Sequence, residues 1–248
     1  MSASKDTLFS EKKTGPHGAV VLLSGGLDSS VLLHYVCKRL GVPRVHALSF
    51  DYGQRHAREL ACAQEQAQLA GARHVVVDLT FLGDLLGEAS ALLEGGAAVP
   101  ALSELTEEQR AQPPTYVPNR NMTLLAIAAG YAEAVGAYDV FYGAQAQDRY
   151  GYWDCTLEFV ERLNAALALN RRTPVRIHAP FVGYSKAEMV ALGLELGVDF
   201  ARTWSCYRGE ELPCGVCPTC VERTQAFAAL GIEDPLYTSR TGVSGKGL

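Results

Sequence analysis

The stretch Ala19-Val20-Val21-Leu22-Leu23-Ser24-Gly25-Gly26-Leu27-Asp28-Ser29-Ser30 decides how the rest of the chain is read. Ala19 to Leu23 is an apolar run of strand length, Ser24, Gly25 and Gly26 break it, and a helical pattern resumes at Ser29. Two consecutive glycines admit backbone conformations barred to other residues. Several N–H groups can then point into one concavity at the positive end of the following helix, an arrangement suited to phosphate. Ser24, Ser29 and Ser30 add hydroxyl donors, and Asp28 is placed to orient the loop or to reach a phosphate-bound magnesium ion. The plainer alternative is a strand-to-helix turn with Ser29 as N-cap. The loop has neither the lysine of a Walker sequence nor the three-glycine spacing of a dinucleotide-binding turn.

Outward from this stretch the chain alternates strands and helices. Val31, Leu32, Tyr35, Val36 and Leu40 recur at helical spacing until Gly41 and Pro43. Val45 to Phe50 is a second strand, and Arg58 to Ala70 a second helix closed by Gly71. His74 to Leu79 is a third strand, whose three consecutive valines predict cover on both faces. Asn119 to Gly136 is a helix, Asp139 to Tyr142 a strand, Gly143 to Asp154 a polar and aromatic loop, and Cys155 to Leu169 a helix. Val175 to Phe181 is a fifth strand or an extended segment. Ser185 caps the helix Lys186 to Leu196, with Glu188 at capping-box distance. This order predicts an α/β fold of Rossmann type, a parallel sheet with helices on both faces and right-handed crossovers. Thr80 to Val117 breaks the rhythm with Gly95-Gly96, Pro100 and Pro113-Pro114, and reads as a lid-like insertion over the nucleotide site.

One large domain fits 248 residues, of which 48% are hydrophobic and 20% charged. The net charge of -5 gives no general attraction to nucleic acid or to an anionic membrane. Residues 1–18 read as a loose tail without the apolar core of a signal peptide, and no run approaches a membrane span. A cytoplasmic protein is expected. The predicted division is a tail over 1–18, an ATP-binding α/β domain over 19–200 with the insertion at 80–117, a cysteine-rich segment with a C-terminal helix over 201–237, and a flexible tail over 238–248.

Cys206, Cys214, Cys217 and Cys220 stand as C-x7-C-x2-C-x2-C among Pro213, Gly215 and Pro218. Two-residue spacers let a tight turn aim successive thiolates at one centre, and four soft ligands suit tetrahedral zinc, one ion per chain in a closed structural site. An iron–sulfur cluster is the rival, because Cys214, Cys217 and Cys220 match half of a ferredoxin pattern. Cys37 and Cys62 fall in helical patterns as small core residues. Cys155 borders the polar loop.

Taken in order, Ser24-Gly25-Gly26-Leu27-Asp28-Ser29 resembles the PP-loop of the N-type ATP pyrophosphatases, whose fold is of the adenine nucleotide alpha hydrolase type. Asp51-Tyr52-Gly53-Gln54-Arg55-His56, Tyr116-Val117-Pro118 with Arg120-Asn121, Gly151-Tyr152 with Asp154-Cys155, and Thr203-Trp204-Ser205-Cys206 narrow the likeness. With the four cysteines, they resemble the 7-cyano-7-deazaguanine synthase family from about Val20 to Pro235. The resemblance implies a ligase that joins 7-carboxy-7-deazaguanine and ammonia, at the expense of ATP, through an adenylated acid and an amide. It places ATP on Leu23 to Ser30, with adenine bordered by Phe50. It puts Ser24, Asp28, Arg120 and Lys186 at the chemistry, and Gln54, Arg55, His56, Arg120, Asn121, Asp148, Tyr152 and Asp154 toward the substrate. Asp148 is also a candidate magnesium ligand. It further implies a homodimer acting on small molecules, not directly on nucleic acid. Asn119, Gln145, Arg149 and Trp153 depart from the family's usual residues. The competing readings are a variant that stops at the amide or uses another amine, a tRNA-thiolating PP-loop enzyme, and a non-enzymatic zinc-bearing regulator.

Overall fold

The computed structural model describes residues 18–55, 57–146, 151–172 and 174–238. His56, Asp148 and Arg149, with nearly all of both expected tails, lie outside the described residues. Five strands, β1 (Ala19–Leu22), β2 (Val45–Asp51), β3 (Arg73–Asp78), β4 (Asp139–Phe141) and β5 (Arg176–His178), form one parallel sheet in the order β3-β2-β1-β4-β5. Ala19 lies opposite Val45 on one side and Asp139 on the other. The chain first builds outward from β1 to β3, then returns to β1's other side for β4. The reversal leaves a crevice at the carboxyl ends of β1 and β4, where ligands of open α/β sheets bind.

Alternate side chains of β1 address opposite layers. Ala19 and Val21, with Leu23 just beyond the strand, pack with α1 (Leu27–His34), α2 (Ala57–Ala70), α7 (Lys186–Glu195) and α8 (Pro218–Ala228). Val20 and Leu22 pack with α5 (Arg120–Val135) and α6 (Leu157–Leu167) on the other face. Helix α1 is buried almost all round, from Leu27 through Ser29 to His34, as expected for a helix enclosed by others. Its buried His34 shares a 3.2 Å hydrogen bond with Gln66 of α2. The expected capping box of α7 is present, with Ser185 accepting from the Glu188 N–H and Glu188 accepting from the Ser185 N–H.

Three expectations change. Helix α1 begins at Leu27 with Gly26 as N-cap, so Ser29 lies inside the helix instead of capping it. Strand β3 is the sheet edge, and Val76 is 49% exposed, so the three valines are not covered on both faces. The fifth strand shrinks to Arg176–His178. There the Asn164 side chain accepts from the Ile177 N–H at 2.8 Å and donates to the Ile177 carbonyl at 2.9 Å, occupying an edge that would otherwise invite another strand.

The insertion contains α3 (Phe81–Leu86), α4 (Glu107–Ala111) and two 3-10 turns. Ala91 and Val99 pack with Cys62 of α2 and with the cysteine-rich segment, which ends in α8 and α9 (Pro235–Thr238). Its main chain is joined to its surroundings through Arg55 N–H to the Leu92 carbonyl (3.1 Å) and Leu102 N–H to the Val216 carbonyl (2.9 Å). Among the described residues no helix is long and apolar enough to cross a membrane.

Candidate active site

A cleft of about 250 Å³ opens at the crevice between β1 and β4. Ser24, Gly26, Leu27, Asp28 and Ser29 line it from the glycine loop. Phe50, Tyr52 and Gln54 close the β2 side, with Glu59 of α2 beside them. Arg120 and Asn121 enter from the start of α5, Lys186 from the start of α7, and Trp204, Ser205 and Tyr207 from either side of Cys206.

Hydroxyls shape the loop. Ser24 N–H donates to Ser29 Oγ at 3.2 Å, Gly26 N–H to Ser24 Oγ at 3.2 Å, and the Ser24 and Ser29 hydroxyls lie 3.0 Å apart. Ser30 Oγ donates to the Gly26 carbonyl at 2.7 Å, within the first turn of α1. Gly25 has φ +89°, and a Cβ there would stand 2.1 Å from the Glu59 carbonyl oxygen and 2.6 Å from the Ala63 nitrogen. Only glycine fits between the loop and α2. The Gly25 carbonyl accepts the Trp204 N–H at 2.9 Å, which fixes the loop to a residue far along the chain.

Lys186 Nζ donates to Asp28 Oδ2 at 2.5 Å, with the two side chains 15% and 22% exposed. The other carboxylate oxygen, Asp28 Oδ1, is buried without a hydrogen-bond partner. An orphaned carboxylate oxygen beside a phosphate-type loop suits a hard divalent cation. Arg120, half-buried, donates from Nε to Asn121 Oδ1 at 3.3 Å. Burial pulls its pKa down, but the facing Tyr52, Tyr207 and Tyr152 hydroxyls more than offset this, so it remains a cation. Burial raises the pKa of Tyr52 and keeps that hydroxyl neutral.

Not every expected site residue reaches the cleft. Leu23, Ser24, Gly26, Leu27, Asp28, Ser29, Phe50, Gln54, Arg120, Asn121 and Lys186 line it. Gly25 and Ser30 shape the loop from behind. Gln54 is itself engaged, donating to the Phe50 carbonyl at 3.0 Å and accepting the Tyr52 N–H at 2.8 Å. Arg55 spends its guanidinium on the Leu93 carbonyl (2.9 Å) and on Gly96 and Ala97, and borders a separate cavity with Asp51, Asp84 and Glu94. Asp154 is buried behind the wall and accepts the Asn121 N–H at 3.2 Å, so it holds the start of α5. Burial, opposed by Arg120 and these hydrogen bonds, raises its pKa. Tyr152 shares a 2.8 Å hydrogen bond with Thr115. Glu59, Tyr207 and Arg223, none singled out in the sequence, also line the cleft. Glu59 shares its helix with an exposed glutamate, Glu65, and nothing local marks it out.

The four cysteines converge. Their sulfurs all lie within 4.8 Å of one another, in a group that could hold a metal ion. Cys214 N–H points at Cys206 Sγ (3.4 Å) and Cys217 N–H at Cys214 Sγ (3.3 Å), backbone donation that favours thiolates. Cys217 is the N-cap of α8 and Pro218 its first residue. Beneath the cluster, buried Arg223 binds both carboxylate oxygens of Asp234 (2.7 and 2.9 Å), the Thr203 hydroxyl (2.7 Å) and the Phe200 carbonyl (2.9 Å). Trp204 completes the connection, its ring N–H donating to the Cys206 carbonyl at 3.0 Å while its main chain holds Gly25. The cluster and the glycine loop therefore belong to one continuous structure.

A solved U34-tRNA thiolase, NcsA from Methanococcus maripaludis, superimposes with a TM-score of 0.51 over 90% of this chain and 68% of its own, at 16% identity, a likeness of fold. The 7-cyano-7-deazaguanine synthase of Archaeoglobus fulgidus is 49% identical over 89% of this chain and 90% of its own length. That of Chromohalobacter salexigens is 47% identical over 91% and 88%. The family model described as "Queuosine biosynthesis protein QueC" matches residues 18–231. With its phosphate-type loop at the sheet's switch point and its converged cysteines, the chain belongs to the QueC family.

Proposed function

We infer that the protein is a 7-cyano-7-deazaguanine synthase, an ATP-dependent ligase that converts 7-carboxy-7-deazaguanine and ammonia to the nitrile. The observation that carries this reading is the meeting of the loop Ser24–Ser29 with Arg120 and Lys186 in one cleft, in a chain about half identical to relatives of that name. A carboxylate resists ammonia because its oxygen leaves poorly. Transfer of AMP from ATP makes that oxygen a good leaving group. The acid's oxygen attacks the α-phosphorus, and the bond to the β-phosphate breaks. The loop N–H groups, the serine hydroxyls and the N-terminus of α1 face the departing pyrophosphate and stabilise its charge. Lys186 and Arg120 neutralise the flanking phosphates and the substrate carboxylate, Lys186 with its position set by Asp28. Ammonia then displaces AMP to give the amide. The amide oxygen is activated the same way by a second ATP, and loss of AMP and the nitrogen's protons leaves the nitrile.

Phe50 borders adenine in this reading, and Gln54 and Asn121 face the base. Asp28, through its unpartnered Oδ1, would hold magnesium, which supplies charge neutralisation at the phosphates. Cys206, Cys214, Cys217 and Cys220 would hold one structural zinc, because four thiolates leave no open coordination position. The insertion over 80–117 covers the nucleotide, the enzyme works in the cytoplasm, and the active form is a homodimer. Mass spectrometry of the product, with AMP and pyrophosphate counted, tests the reading. A nitrile with two AMP per product is expected, and an amide with one AMP refutes it.

A further inference from the structure

Glu59 is a carboxylate in the cleft that takes no part in holding the phosphates or in adenylation. It lies in the first turn of α2, and its own carbonyl oxygen lies where a Gly25 side chain would be, so its backbone touches the phosphate loop. Its side chain lines the cleft opposite Arg120, with no hydrogen-bond partner among the described residues. Among those residues the only other carboxylate lining the cleft, Asp28, is committed to Lys186. The remaining ionisable groups facing the space are the cations Arg120, Lys186 and Arg223, the tyrosines Tyr52, Tyr142 and Tyr207, and Cys155. Arg223 is occupied by Asp234, and Cys155 is engaged by Asn121 and Asp154.

We propose that Glu59 is the proton acceptor for the nitrogen in amide formation. This rests on the synthase reading. When the lone pair of ammonia forms the C–N bond, the C–O bond to AMP breaks and the nitrogen holds one proton too many. The Glu59 carboxylate takes that proton, giving amide, AMP and a neutral carboxyl, which returns the proton to water. A base for this step must be ionised near neutrality yet basic enough to hold a proton. Burial raises the Glu59 pKa to about 7, with Arg120 pulling the other way, which matches that requirement.

Glu59→Gln tests it through two partial reactions of the full-length protein with magnesium. The first is acid-dependent exchange of labelled pyrophosphate into ATP, which reports adenylation alone. The second is single-turnover amide formation at constant free ammonia across pH 5.5–9. Exchange within about threefold of wild type, with amide formation down about 100-fold or more and its acid limb near pH 7 abolished, is expected. Amide formation with an unchanged rate and pH profile overturns the proposal. Loss of exchange in step with amide formation also overturns it, in favour of a binding role. Absence of exchange in the wild type instead removes the synthase reading itself. Should the glutamine variant fail to fold by thermal melt, Glu59→Asp serves, with a displaced acid limb expected and an unmoved limb contradicting the proposal.

Discussion

Gly25→Ala separates a loop built for phosphate from a turn that merely tolerates glycine. At φ +89° an alanine costs about 1–2 kcal/mol from its own backbone strain. Its Cβ also meets two backbone atoms of α2, at 2.1 and 2.6 Å, and neither can swing aside as a side-chain tip would. Restoring an ordinary contact moves loop and helix apart by about 1 Å, and such overpacking costs about 1–3 kcal/mol. The expected total is about 3 kcal/mol, or a fall in Tm of about 6–12 °C for a domain of this size. A displacement of about 1 Å at the reacting groups lowers acid-dependent AMP release about 100-fold. Gly41→Ala is the control, because Gly41 has φ +64°, has no atom within 4 Å of where its Cβ would stand, and lies away from the cleft. It should lose about 1 kcal/mol and about 2–4 °C with AMP release intact. Thermal melts and AMP release on both variants decide the matter. If Gly25→Ala matches Gly41→Ala in both measurements, the close approach of loop and α2 is not what holds the site.

Arg223→Met leaves Asp234 buried without its partner and should cost about 3–5 kcal/mol, while Arg223→Met with Asp234→Leu recovers much of it; urea unfolding of both measures the difference. Removing metal with a strong chelator should lower Tm and acid-dependent AMP release together, because Trp204 connects the cysteines to Gly25, and unimpaired AMP release in metal-free protein contradicts that coupling. Lys186→Met should abolish measurable pyrophosphate exchange, and retention of exchange within tenfold removes Lys186 from the phosphate site. The raised pKa of Glu59 means that the folded chain holds that proton more tightly than the unfolded chain. The carboxyl's contribution to stability is thus full below the unfolded pKa near 4.5 and is lost as pH rises through about 7. Glu59→Gln should therefore gain on wild type between pH 4.5 and 7, and urea unfolding at the two ends of that window that shows a constant difference refutes it.

The local signals in the sequence carried well. The apolar run into Gly25-Gly26, the capping box at Ser185 and the three closely spaced cysteines each work over a few residues, and each appears where expected. What failed depended on neighbours. Val75-Val76-Val77 reads the same in a central strand as at an edge, and only the strand order exposes Val76. Arg55 sits in the motif Asp51 to His56 that suggested contact with substrate, yet three carbonyls of the insertion claim it. Glu59 and Arg223 acquire their positions through packing of α2 and α8, so no spacing rule could have marked them. The insertion carries short helices with little periodicity, since its apolar residues divide between two surfaces, Ala91 and Val99 packing with Cys62 and the cysteine segment and Leu82 with the sheet.

The contacts that complete the phosphate loop come from late in the chain. Asp28 finds Lys186 at a separation of 158 residues, and Gly25 finds its hydrogen-bond donor later still, at Trp204. During synthesis the loop leaves the ribosome early and remains unfinished until nearly all of the chain has followed. Non-local closure of this kind is slow, and it orders assembly. In the proposed synthase, ATP binding would thus report that the C-terminal segment has arrived and docked, and a chain halted before Trp204 would carry the motif without these contacts.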